Sequence, residues 1–71
     1  MATYVFEHYP HPPVASIMMR PLDKAVIEAK DDTAAIRLAR DRAFRLRFHT
    51  DFAVLLDENA SEIWVWRNPL S

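Results

Sequence analysis

Turned by about 100° per residue, the segment from Asp31 to Arg47 brings Ala35, Ile36, Ala39, Ala43 and Leu46 to one side of a helix. Three of these five residues are alanines. A helix whose apolar face is mostly methyl groups must lie close to its support, and a sheet offers the flat surface that this requires. The residues just before it supply one strand of that sheet: Lys24 to Ala29 has β-branched Val26 and Ile27 at its centre. Between the two, Asp31 or Asp32 caps the helix, its carboxylate accepting free first-turn amides and meeting the positive end of the dipole.

The remaining elements follow from alternation and from breakers. Ala2 to Tyr9 alternates as a half-buried strand, with Tyr4, Phe6 and His8 on one face and Val5, Glu7 and Tyr9 on the other. The prolines of Tyr9-Pro-His-Pro-Pro13 end it, since they lack the amide a ladder needs. Val14 to Arg20 is open to three readings: a loop-borne extended segment, an edge strand, or one helical turn entered through Pro13. Phe52 to Asp57 and Glu62 to Arg67 form a hairpin, and in its turn Asn59 is the residue best suited to positive φ. With no glycine to adopt a left-handed cap, the helix is predicted to fray into Arg47–Asp51. The expected fold is a single α+β domain over residues 1–71. It has a small antiparallel or mixed sheet of three to five strands with one α-helix packed on one face, in the order β-(β)-β-α-β-β.

Composition excludes several functions. The chain has no glycine, so phosphate-cradling loops, nucleophile elbows and dinucleotide fingerprints have no residue for the backbone conformations they need. It has no cysteine, which removes disulfides and thiolate metal sites and fits a reducing, cytoplasmic interior. No apolar run approaches the roughly 20 residues that span a bilayer. The opening Met1–His8 lacks the basic start and apolar stretch of a signal peptide. A domain of 71 residues buries only about 60% of its unfolded surface. Small domains without staples gain core by associating, so a homodimer is expected.

Charge is unevenly divided. From Ala34 to Phe48 there are five arginines against Asp41 alone, a balance of +4, which leaves −5 elsewhere in a chain of net charge −1. Arg37, Arg40, Phe44 and Arg47 form a stripe about 80° wide. Arginines flanking an aromatic ring can grip acidic side chains, or contact phosphates while the ring stacks on a base. The same face can also be a solvated ion ladder of Arg37, Asp41 and Arg45. The ladder is the commoner arrangement, but Phe44 keeps the contact-surface reading open, because it stands where such a helix ordinarily carries a polar residue.

In the last strand Ile63 and Val65 point one way and Trp64 and Trp66 the other. If the aliphatic pair packs under the helix, the indoles lie on the uncovered face as a dimer or second contact surface, unless Val14–Arg20 folds over them. His8-x-x-His11 beside Glu7 has metal-ligand spacing, but zinc sites need three or four convergent ligands, and the surrounding prolines read as a surface turn. No metal, cofactor or catalytic residue is expected: neither the acidic residues nor Ser16, Ser61 and Ser71 form a recognisable acid/base or nucleophile grouping.

The block Ile-Glu-Ala-x-Asp-Asp-x-x-Ala-Ile-x-x-Ala, from Ile27 to Ala39, sits between an opening strand and a final hairpin. In this arrangement the chain resembles small uncharacterised bacterial proteins and compact phage-encoded anti-CRISPR proteins over Lys24 to Arg67. The second resemblance implies a non-enzymatic inhibitor occupying a surface of a CRISPR effector complex. Many such inhibitors are acidic nucleic-acid mimics, whereas this chain carries a basic helix. The residues and the resemblance together lead to one expectation: a non-catalytic protein that binds a protein or ribonucleoprotein partner through Arg37, Arg40, Phe44 and Arg47. Direct nucleic-acid binding by the same helix is the alternative.

Overall fold

A computed structural model describes residues 1–10, 20–21 and 23–69. The elements are β1 (Ala2–Tyr9), β2 (Asp23–Ala29), α1 (Asp32–Arg45), β3 (Phe52–Leu56) and β4 (Glu62–Arg67). They form the expected α+β arrangement, one helix on one four-stranded sheet in which every neighbouring pair is antiparallel. The spatial order is β2-β1-β3-β4, so the sheet departs from the order along the chain. Because β2 and β3 both run antiparallel to β1, they are parallel to each other, and such strands need a long crossover. Helix α1 is that crossover. Of the ambiguous Val14–Arg20 segment, all but Arg20 lies outside the described residues.

The registers assign the two faces. Tyr4 opposes Ile27, Phe6 opposes Ala25 and Leu55, Ala53 opposes Trp66, and Leu55 opposes Trp64. All of these face the helix, where Ala35, Ala39 and Ala43 are fully buried and Ile36 and Leu46 half-buried. The predicted apolar face of α1 is therefore the one that packs. Phe6 and Leu55 fill the centre beneath it with no exposed side-chain surface, each stabilising by about 2–3 kcal/mol.

The tryptophans require a correction. The registers put Trp64 and Trp66 under the helix, half-buried against the core, and leave Val65 on the opposite face. Side-chain volume accounts for this. Three alanines of α1, with Ala25, Ala29 and Ala53 of the sheet, provide little bulk on the helix side, and close packing requires large groups to fill the remainder. The indoles do so at the β4 edge. On the other face Phe52 and Val54 are buried, and the Tyr9 ring lies 5.8 Å from that of Phe52.

Both ends of the helix are tied. Asp31 is the cap: its carboxylate accepts the Ala34 amide at 2.8 Å. Asp32, one residue on, instead accepts the Tyr4 hydroxyl at 2.7 Å and pins the first turn to β1. In the hairpin turn the positive φ falls at Ala60 (62°) and not at Asn59. Asp57 accounts for the difference, because one of its carboxylate oxygens accepts the amides of both Asn59 and Ser61 at 2.9 Å. The Ala60 amide bonds the Asp57 carbonyl. Closing these rings drives Ala60 left-handed, at a cost of roughly 1 kcal/mol that the hydrogen bonds offset.

The Asp32 contact, followed by burial, pushes the Tyr4 phenol up to about 12. Unfolded, the same group releases its proton near 10. Above that pH the folded state holds more protons than the unfolded, so this contribution is fully present below about pH 10 and is lost as pH rises toward about 12. Ultraviolet titration of Asp32→Asn should bring the Tyr4 transition down toward the ordinary tyrosine range; an unchanged curve would show that the carboxylate does not hold the proton.

Candidate functional site

The face of α1 opposite its alanines carries Arg37, Arg40 and Phe44, all exposed. Phe44 keeps 60% of its surface in solvent. Arg47 follows the last helical turn and is half-buried. Its guanidinium lies over the Phe44 ring at 3.9 Å and over the Phe48 ring at 4.4 Å. One of its terminal nitrogens donates to the Phe44 carbonyl at 2.7 Å. The guanidinium thus adds a second donor to a helix-end carbonyl that also accepts the Arg47 amide at 3.3 Å. It also fixes two phenyl rings, each contact contributing about 0.5–1 kcal/mol at an exposed site.

Phe48 is 70% exposed and was not among the residues singled out from sequence. It lies beyond the helix, where wheel arithmetic stops, although its i,i+4 spacing from Phe44 was a usable signal. The predicted fraying is replaced by an ordered turn, closed by the Leu46 amide to the Ala43 and Arg42 carbonyls and by His49 to the Leu46 carbonyl at 2.8 Å. The ion ladder forms at one step only, Arg45 to Asp41 at 2.8 Å. That pair is exposed and stabilises by tenths of a kcal/mol. Among the described residues Arg37, Arg40 and Arg42 have no ion-pair partner. Their charge is directed outward.

The turn that carries Arg47 and Phe48 is anchored from behind. Asn68, buried just after β4, donates its side-chain amide to the carbonyls of Arg47 and, at 3.0 Å, Thr50. Its backbone amide bonds the Asp51 carbonyl. Thr50 in turn donates to the Tyr9 carbonyl at 3.2 Å. The Thr50 hydroxyl also lies 2.7 Å from His8 Nδ1, a hydrogen bond whose direction follows the imidazole tautomer. The buried polar groups are thereby paired, and the aromatic–arginine cluster rests on three strands.

Other sequence candidates disperse. Glu7 accepts Lys24 at 3.2 Å and the Tyr9 hydroxyl at 3.1 Å on the sheet face away from the helix. His8 projects to the helix side, so the two do not converge, and His11 lies outside the described residues. A cavity of about 150 Å³ at the opposite end of α1 is lined by Tyr4, Asp32, Asp57, Glu58 and Asn59. Its carboxylates are engaged: Asp32 with Tyr4, Asp57 with the hairpin turn, and Glu58 with the Thr3 amide at 2.9 Å. A groove of about 340 Å³ runs between α1 and the end of β2, lined by Met1, Ala29, Lys30, Ala34, Arg37 and Leu38. No helix among the described residues is long and apolar enough to cross a membrane.

Comparison with family models, with curated proteins and with solved structures finds no match. Asn68→Ala should lower stability by about 1–3 kcal/mol, because two carbonyls lose their donor. Hydrogen exchange should show amides 47–51 losing protection before the sheet does. Protection lost equally throughout would mean that Asn68 supports the whole fold and not this turn.

Proposed function

We propose that this is a non-catalytic binding protein whose contact surface is the outer face of α1 and the turn after it. The observation that carries the reading is Arg47 stacked on Phe44 and Phe48 while both rings stay largely in solvent. Two phenyl groups left largely in water bring no benefit to an isolated domain. Against a partner they bury apolar area with little loss of side-chain freedom, and aromatic residues with arginine are the groups that dominate interface energies. Arg37 and Arg40 add outward-directed donors suited to carboxylates.

An acidic protein surface suits this face better than bare nucleic acid. Asp31, Asp32, Asp57 and Glu58 gather around the first turn of the same helix, and a long polyanion would meet them. A folded partner can place its acidic groups only where the arginines are. A ribonucleoprotein, including the CRISPR effector suggested by the anti-CRISPR resemblance, offers such a surface as well. Direct nucleic-acid binding is the second reading, favoured by the ring–guanidinium platform on which bases could stack.

The test begins with partner capture by cross-linking in the native cell, followed by affinity measurement on the purified pair. Phe44→Ala and Arg47→Ala should each weaken binding by about 2 kcal/mol or more, roughly 30-fold. Arg37→Ala with Arg40→Ala should slow association at low salt. Unchanged affinity in all of these variants would refute the surface. Tight binding to labelled single strands or duplexes, falling steeply with salt, would favour the nucleic-acid reading.

A further inference from the structure

Strand β2 pairs with β1 over seven consecutive positions without a bulge, and its other edge is unpaired among the described residues. An open edge is a template for a further strand, and proteins normally blunt it with charge, proline or irregularity. At the far side of the sheet, β4 is irregular: its register with β3 shifts between Leu55 and Leu56. The β2 edge has no such irregularity. Its middle residue, Val26, is 66% exposed on the face away from the helix.

The charges on β2 do not simply blunt it. Lys24 and Glu28 lie on the same face as Val26, two residues before and two residues after it. If a second copy of β2 lies antiparallel with Val26 opposite Val26, Lys24 of each chain meets Glu28 of the other. Ala25 then meets Ile27 on the helix side. Opposite charges directly across an antiparallel pair are favourable, and like charges are not. One strand therefore carries a self-complementary pattern in the one register that two-fold symmetry centred on Val26 requires.

The surrounding side chains are free to take part. Lys24 touches Glu7 at 3.2 Å but leaves 61% of its side chain exposed, and Glu28 is exposed with no ion pair among the described residues. Beside this edge runs the groove that holds Met1, Ala34 and Leu38, with Leu38 half exposed. A neighbouring chain at the edge would cover part of that apolar surface. We propose that the chain forms a two-fold dimer by pairing β2 with β2 of a second copy, making one continuous eight-stranded sheet. Of the proposed contact residues only Arg37 borders this groove, so a partner could still engage Phe44, Arg47 and Phe48 in either state.

The absence of cysteine makes the test direct. Val26→Cys should be captured as a covalent dimer by mild oxidation or a short bis-thiol reagent, since facing residues lie about 4.5–5.5 Å apart. Val65→Cys, on the same sheet face at the β4 edge, should not be captured. In sedimentation, the unmodified chain should approach twice the monomer mass as its concentration rises through the micromolar range. Glu28→Lys should weaken that association by at least about tenfold, because two attractions become two repulsions, with circular dichroism unchanged. A chain that stays monomeric throughout, or capture no greater at Val26→Cys than at Val65→Cys, overturns the proposal.

Discussion

The close approach of an alanine-faced helix to the sheet is the constraint on which the rest of the molecule depends. Ala35, Ala39 and Ala43 have no surface left in solvent, so the helix axis is as near to the strands as its backbone permits. That proximity determines what else fits. Ala25, Ala29 and Ala53 of β2 and β3 leave room beneath the helix, and larger groups have to fill it. Tyr4, Phe6 and Leu55 do so in the interior of the sheet and the indoles at the β4 edge. Off its packed face the helix exposes two large apolar side chains, Leu38 beside the β2 groove and Phe44 among the arginines.

The chain has to end this helix and turn without glycine. Elsewhere a left-handed residue would close the last turn; here Arg47 folds back to the Phe44 carbonyl, and Asn68 holds the following carbonyls from the sheet. The same guanidinium organises Phe44 and Phe48. A backbone problem and a surface feature therefore share one solution, and this explains why the aromatic pair is ordered although it is exposed. The Asp57 turn shows the same economy, since a carboxylate supplies the order that lets Ala60 take a conformation usually left to glycine.

Much of this was legible from spacing. Strand and helix periodicities placed β1, β2, α1 and the hairpin within a residue or two, and the alanine wheel identified the buried face. The orientation of β4 was not legible. Alternation sets Trp64 and Trp66 opposite to Val65 but cannot say which side meets the helix, which depends on the volume left by alanines on other strands; nor does it foresee the register shift at which Ile63 also packs against the core. The partner of β1 was hidden for a related reason. Pairing β1 with both β2 and β3 follows from the crossover, which no local pattern records. Phe48 and Asn68 escaped notice because their roles arise from tertiary contacts, and neither sits in a periodic segment.

Geometry links the two surfaces proposed for this chain. A two-fold axis perpendicular to the sheet at Val26 would leave both helices on the same side of an eight-stranded sheet, their outer faces pointing the same way. Each dimer would then present two copies of the Phe44–Arg47–Phe48 cluster to one partner or to a pair of neighbouring sites. Displaying a site twice in a fixed relation raises the effective concentration of the second contact, so avidity can exceed single-site affinity by about 10²–10⁴ without any new contact. A face of only one helix and one turn is small for a stable complex. Doubling it by sheet extension provides area that a 71-residue chain lacks alone.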